Sequence, residues 1–171
     1  MKKILSAAIV LALTLTALAG CSGKTAAPAA KTPEELTQLY ATAITENGGE
    51  MVQYNPVISE VKEDDLSAMI LESLGLKEED MAAFGISMSM MNVKAYGIAA
   101  VMPAEGKTDA VKEALQGFMD NQEQNFETYL ADQYEIAKNA KLETLTDGTV
   151  LMVMCEDSNA VYEAIKGAIE G

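Results

Sequence analysis

FGISMSMMNVKAYGIAAVM, residues Phe84 to Met102, is where the pattern of the chain changes. Ile86, Met88 and Met90 alternate with Ser87 and Ser89, the period of two that a strand with one apolar face shows. Met91-Asn92 interrupts the alternation. VKAYGIAAVM, residues 93–102, is then apolar at successive positions, which predicts a central strand buried on both faces and ended by Pro103. Downstream, KLETLTDGTVLMVMC, residues 141–155, reads as a hairpin with Asp147-Gly148 in its turn. Between these strand pairs, Val111, Leu115, Phe118, Gln122, Phe126, Tyr129, Gln133 and Ile136 form one stripe at spacings of three and four. We expect Thr108 to cap that helical segment and Asn139-Ala140 to close it. Ser158 is expected to cap a last helix that carries Val161, Ile165 and Ile169. The order β-β-α-β-β-α predicts an antiparallel sheet of about four strands packed by helices, an α+β fold.

Upstream, Thr32-Pro33-Glu34-Glu35 is a helix start: a cap, a proline at the first position and acids in the first turn. Leu36, Leu39, Tyr40, Ala43 and Ile44 keep helical spacing until Asn47-Gly48-Gly49 stops it. Residues 50–64 carry no clear period, although VISEV (57–61) fits an extended segment. Leu66–Leu74 reads as a second short helix ended by Gly75, with a further turn starting at Lys77. No internal repeat is visible.

The start of the chain gives its address. Met1-Lys2-Lys3 is positive, Ile4–Ala19 is an uncharged and mostly apolar run of 16 residues, and Leu18-Ala19-Gly20 precede Cys21. That is the order of a secretory signal, and a spanning helix wants about 20 apolar residues. Leu18-Ala19-Gly20-Cys21 resembles the lipobox of bacterial lipoproteins. The resemblance implies cleavage between Gly20 and Cys21 and a diacylglyceryl group on the Cys21 thiol. We therefore expect residues 1–20 to be a signal peptide and 21–32 to be a lipidated cysteine with a flexible tether. Residues 33–171 are expected to form a single domain. Stretched out, the 11 residues from Ser22 to Thr32 reach about 36 Å. The expected location is the outer face of the cell membrane of a Gram-positive bacterium, held there by the N-terminal lipid.

Composition narrows the chemistry. Without Lys2 and Lys3, ten basic residues face 26 acids, a net charge of −16. Such a chain is repelled by nucleic acid and by anionic headgroups. It has no histidine, arginine or tryptophan. Serine–histidine and cysteine–histidine catalysis are excluded, as are histidine-ligated metal sites. Bidentate arginine clamps are missing as well, and there is no glycine-rich phosphate loop. Cys155 is left as a lone thiol in the apolar run TVLMVMCED and is expected to be buried.

Met88, Met90, Met91, Met152 and Met154 could supply soft ligands for Cu(I), but methionines alternating in strands are expected to fill core. Glu60, Glu63, Asp64 and Asp65, and Glu78, Glu79 and Asp80, lack the spaced loop of a calcium site and read as a solvated face. Paired carboxylates could hydrolyse a glycoside, yet aromatic residues make up only 5% of the chain, few for a sugar platform. The candidate contact surface is Tyr129, Asp132, Gln133 and Tyr134, set against the plain reading of a helix end.

MSMMNVKAYGIAAVMPAEGKTDAVKEAL (88–115), FETYLADQYEIAKNAKLETLTDGTVLMVMCED (126–157) and the closing helix resemble the DUF4358 family. That is a family of short lipoproteins, mostly from Firmicutes, with no assigned function. The resemblance implies an anchored extracytoplasmic domain and supplies no active site. Family members often carry a proline near position 131, where this chain has alanine. The stripe alone does not decide whether segment 108–139 is broken there.

The functional expectation is a non-enzymatic interaction or adaptor domain that contacts an envelope protein or a wall component, with no cofactor and no metal. The alternative is a binder of a small solute or cation, serving a transporter. An enzyme ranks third.

Overall fold

The computed structural model describes residues 31–62 and 65–171. Along the chain run α1 (Pro33–Asn47), α2 (Asp65–Leu74), β1 (Met81–Met88), β2 (Gly97–Pro103), α3 (Thr108–Phe126), α4 (Ala131–Lys138), β3 (Lys141–Thr144), β4 (Val150–Met154) and α5 (Ser158–Glu170). The four strands form one antiparallel sheet in the order β1-β2-β4-β3. The α+β fold and the four-stranded antiparallel sheet expected from the sequence are both present.

Helices cover both faces of the sheet. On one face, Ile86, Met88, Ala99, Val101, Met152 and Met154 pack beneath Leu71 and Leu74 of α2, Leu115 and Phe118 of α3, and Ala137 of α4. On the other, Ile98, Ala100, Leu151 and Val153 meet Leu36, Tyr40 and Ile44 of α1, and Tyr162, Ile165 and Ile169 of α5. An antiparallel sheet usually leaves one face in water. Here α1 and α5 close that face, which is why β2 and β4 read as unbroken apolar runs. Gly85 lets α1 approach: a Cβ there would lie 2.8 Å from the Cβ of Tyr40.

The sheet thereby acquires two ends. Tyr40, the middle residue of α1, bonds Thr149 beside the hairpin turn, while Gly48 after its last turn lies near Ile98 at the start of β2. So α1 runs from the turn end of the sheet to the end where β2 begins and β4 finishes. Its 15 residues span about 22 Å. Antiparallel to it, α5 starts after Cys155 and brings Glu170 back to Thr146 near the turn.

Several boundaries differ from the sequence reading. Thr32 caps α1 as expected, in a capping box with Glu35, but Thr108 is the first residue of α3 and makes no side-chain cap. In α5 the capping side chain is Asp157, which accepts from the Ala160 N–H at 3.3 Å. The Ser158 hydroxyl instead spans the N–H and C=O of Cys155. Strand β1 starts earlier than expected, at Met81, and ends at Met88, leaving Met90 and Met91 exposed outside it. Ser87, read as the polar face of a strand, is fully buried. It is satisfied because its hydroxyl donates to the Asn55 carbonyl at 2.6 Å and meets the Tyr96 hydroxyl at 3.0 Å. Of VISEV, Ile58 makes a two-way bridge with Ile86.

Segment 108–139 is broken. Leu130 leaves the helical region (φ −135°, ψ 78°) and packs into the α2–α3 core, so α4 starts in a new direction. The hairpin around Asp147-Gly148 forms as expected, with Gly148 at φ 94°. Among the described residues no helix is long and apolar enough to cross a membrane.

Candidate functional site

A cleft of about 370 Å³ opens at the end of the sheet where β2 begins. Five segments build it. Gly48 and Gly49 follow α1, and the tight turn after them supplies Glu50, Met51 and Tyr54. Gly49 takes φ 78°, a left-handed conformation that suits glycine and turns the chain sharply at the rim. The second segment is Lys94, Ala95 and Tyr96, just before β2. The third is Gln133 and Ile136 from α4, the fourth Cys155, Glu156 and Asp157 after β4, and the fifth Val161 from α5. A shallower continuation runs between α4 and α5, past Glu135 and Asn139.

Two hydrogen-bonded nodes hold the walls. Gln133 is only 5% exposed. Its Oε1 accepts from the Ala95 N–H at 2.9 Å, and its Nε2 donates to Asp132 Oδ2 at 2.9 Å. A buried amide tied to the residues that lead into β2 fixes α4 against that end of the strand. Asp132 is held below the usual carboxylate range, first by that bond from Gln133, with the Lys94 ammonium adding to it. The second node is Tyr96. The one Ser87 hydroxyl proton goes to Asn55, so the Tyr96 O–H must donate to Ser87 Oγ. Burial pushes the Tyr96 phenol up to about 12.

Cys155 is buried, as expected, and burial raises its thiol above the ordinary value. A thiol held protonated is a poor nucleophile. The rim carries three exposed carboxylates, Glu50, Glu156 and Asp157, against one ammonium, Lys94. Among the described residues Lys94 makes no ion pair; the two ion pairs are Lys62–Glu60 at 2.9 Å and Lys107–Asp80 at 2.6 Å.

The four residues expected to form a contact surface are split. Tyr129, 58% exposed, sits in the break between α3 and α4. Its hydroxyl donates to the Asn92 carbonyl at 3.2 Å, and its ring lies 6.1 Å from that of Phe126. Asp132 is exposed, Gln133 is internal, and Tyr134 is half-buried with the Lys138 ammonium 5.4 Å over its ring. Tyr129 thus belongs with the exposed loop that carries Met90, Met91 and Val93. Gln133 supports the cleft instead of facing a partner.

Sequence reasoning missed Glu50, Tyr54, Lys94, Glu156 and Asp157. Their signals were the Gly48-Gly49 pair and the abrupt step from an apolar strand into Glu156-Asp157.

Met88, Met152 and Met154 are core, whereas Met90 and Met91 are not. In the acidic clusters Glu60, Glu78 and Glu79 are exposed, but Asp80 is buried against Lys107. That pair ties the start of β1 to the loop before α3, and it holds the Lys107 ammonium above its ordinary value. No group of three or more His, Cys, Asp or Glu is placed to hold a metal ion among the described residues. Gly20, Cys21, the signal segment, Glu63 and Asp64 lie outside the described residues.

The family model described as "Domain of unknown function (DUF4358)" matches residues 57–155, more than half of the chain, and the chain belongs to that family. The matched span includes all four strands and the Lys94–Gln133 side of the cleft. Glu50, Tyr54, Glu156 and Asp157 on the opposite rim fall outside it. No curated protein and no solved structure matches the chain.

Proposed function

We propose that this DUF4358 domain is the extracytoplasmic part of a lipid-anchored lipoprotein and acts as a non-enzymatic interaction module. Its partner would be an envelope protein or a wall component. Leu18-Ala19-Gly20-Cys21 supports the anchor, and two acyl chains hold a protein at a membrane where one does not. With a net charge of −16 after cleavage, the chain as a whole is repelled by anionic headgroups, so the lipid would supply the attachment.

The observation that carries the interaction reading is the placement of the exposed apolar loop. The chain enters the domain at Thr32, at the turn end of the sheet. Met90, Met91, Val93 and Tyr129 are exposed at the opposite end, about 22 Å along α1. A flexible tether over residues 22–32 leaves this end free to meet a partner. Apolar side chains clustered on an otherwise strongly acidic surface suit a protein contact. A second reading, binding of a small solute, draws on the cleft at the same end.

The test is in-cell crosslinking of the full-length chain beside a Cys21→Ala variant, with membrane fractionation and mass spectrometry of the adducts. The wild type is expected in the membrane fraction with one enriched envelope partner, and Cys21→Ala is expected to lose both. A Cys21→Ala chain that remains membrane-bound contradicts the anchor. A membrane-bound wild type with no partner above background contradicts the interaction module.

A further inference from the structure

We propose that the cleft at the open end binds a small organic cation: an ammonium, guanidinium or quaternary-amine group on a short apolar stem. The proposal does not depend on the anchor or on a protein partner.

The volume of about 370 Å³ falls within the range of small-molecule sites. Its lining combines exposed charged groups with apolar surface. Met51, Ile136 and Val161 supply apolar surface suited to a stem, and each is only partly buried, so that surface is available. Glu50, Glu156 and Asp157 give a rim with an excess of two negative charges over Lys94. The field of that ammonium is also felt by Asp132 outside the cleft.

Two further features point to a cation. The last turn of α1 ends at this rim with no basic residue in it, so no side-chain charge of its own offsets the negative end of the helix dipole there. Beside it stands Tyr54, 78% exposed, the most exposed of the large hydrophobic side chains and a face on which a cation can rest. The positive end of α5 also reaches the cleft, but Asp157 caps it by accepting from the Ala160 N–H.

The spread of the carboxylates separates an organic cation from a metal ion. Calcium wants six to eight oxygens gathered at about 2.3–2.6 Å. Here Glu50 stands on one wall and the adjacent Glu156 and Asp157 on another, and no three carboxylates converge among the described residues. Charge spread over two walls beside apolar surface fits a larger, weakly hydrated cation.

The experiment is calorimetric titration of the full-length chain in neutral detergent micelles. The probes are choline and butylammonium, their neutral counterparts 3,3-dimethylbutan-1-ol and butan-1-ol, butyrate, and magnesium. Choline or butylammonium is expected to saturate one site with a dissociation constant of about 1 mM or tighter, and the neutral counterparts are not. Glu50→Gln with Glu156→Gln is expected to weaken binding at least about tenfold. Both side chains are exposed, so the melting temperature of this variant is expected to stay put. Tyr54→Ala is expected to weaken binding severalfold, and Lys94→Gln to tighten it. Absence of saturation with both cations, equal binding of the neutral counterparts, equal displacement by magnesium, or butyrate binding that Lys94→Gln abolishes would each overturn the proposal.

Discussion

The two ends of the sheet are finished in different ways. At the turn end, hydrogen bonds stitch three elements together. Tyr40 meets Thr149 at 2.6 Å, Thr149 bonds Asp147 through both its N–H and its hydroxyl, and Glu170 accepts from the N–H and hydroxyl of Thr146. The acceptor role holds Glu170 below its ordinary carboxylate value. At the other end, the β1–β2 loop exposes Met90, Met91 and Val93, Lys94 makes no ion pair among the described residues, and the strands open into a cleft. The difference lies in what the polar side chains leave over. At the end where Thr32 leads into α1 they tie the hairpin to two helices. At the far end Gln133, Tyr96 and Ser87 hold the cleft walls, and exposed apolar and charged groups remain beside them.

The comparison assumes one frame beneath both ends. Ile98→Ala tests it with the largest expected effect. Ile98 is fully buried in the core beneath α1 and α5, and truncation of such a residue costs about 2–5 kcal/mol. A urea melt is expected to keep a single transition at a lower midpoint. Two separated transitions would show that the ends do not share a frame.

Alkaline titration follows. Burial pushes Tyr40 at the closed end and Tyr96 at the open end both up to about 12. Below pH 10 these phenols are protonated in folded and unfolded chains alike. Between about pH 10 and 12 the unfolded chain loses its protons first, so stability falls, by on the order of 2 kcal/mol per phenol. Burial and the Glu143 carboxylate raise Tyr162 as well, and it remains in both variants, so Tyr40→Phe and Tyr96→Phe are each expected to remove about a third of the total loss. If one variant removed all of it, the two ends would differ in burial more than their exposures indicate.

Gln133→Ala is the local test. It leaves the Ala95 N–H without its acceptor and is expected to cost about 1–3 kcal/mol. Hydrogen exchange at Ala95 is expected to accelerate, while the hairpin amides near Thr149 keep their rates. Equal acceleration at both ends would remove the distinction between them.

Much of the fold was legible because the signals were local. Thr32-Pro33-Glu34-Glu35 marks a helix start by its own chemistry, and Asp147-Gly148 marks a turn. The apolar runs of β2 and β4 announced burial on two faces. The break after Phe126 was not legible, because Glu127, Thr128, Tyr129 and Leu130 include no glycine or proline; the stop comes from Leu130 entering the core. Ser87 misled because its partners, Asn55 and Tyr96, lie 32 and nine residues away. The cleft was illegible for the same reason at larger scale. Glu50, Lys94, Gln133 and Glu156 meet only after the sheet order β1-β2-β4-β3 has brought the starts and ends of distant strands together.

The central claim is that the end far from the tether is the end that meets a partner. The most direct measurement places a photocrosslinking side chain at one of two exposed positions in the full-length chain in cells. One position is Met91 in the open-end loop; the other is Glu105, just after β2 at the closed end. Both substitutions are surface changes expected to alter stability by less than about 0.5 kcal/mol. The account predicts a discrete adduct with an envelope component from position 91 and background from position 105. An adduct from position 105 alone, equal adducts from both, or none from either would contradict it.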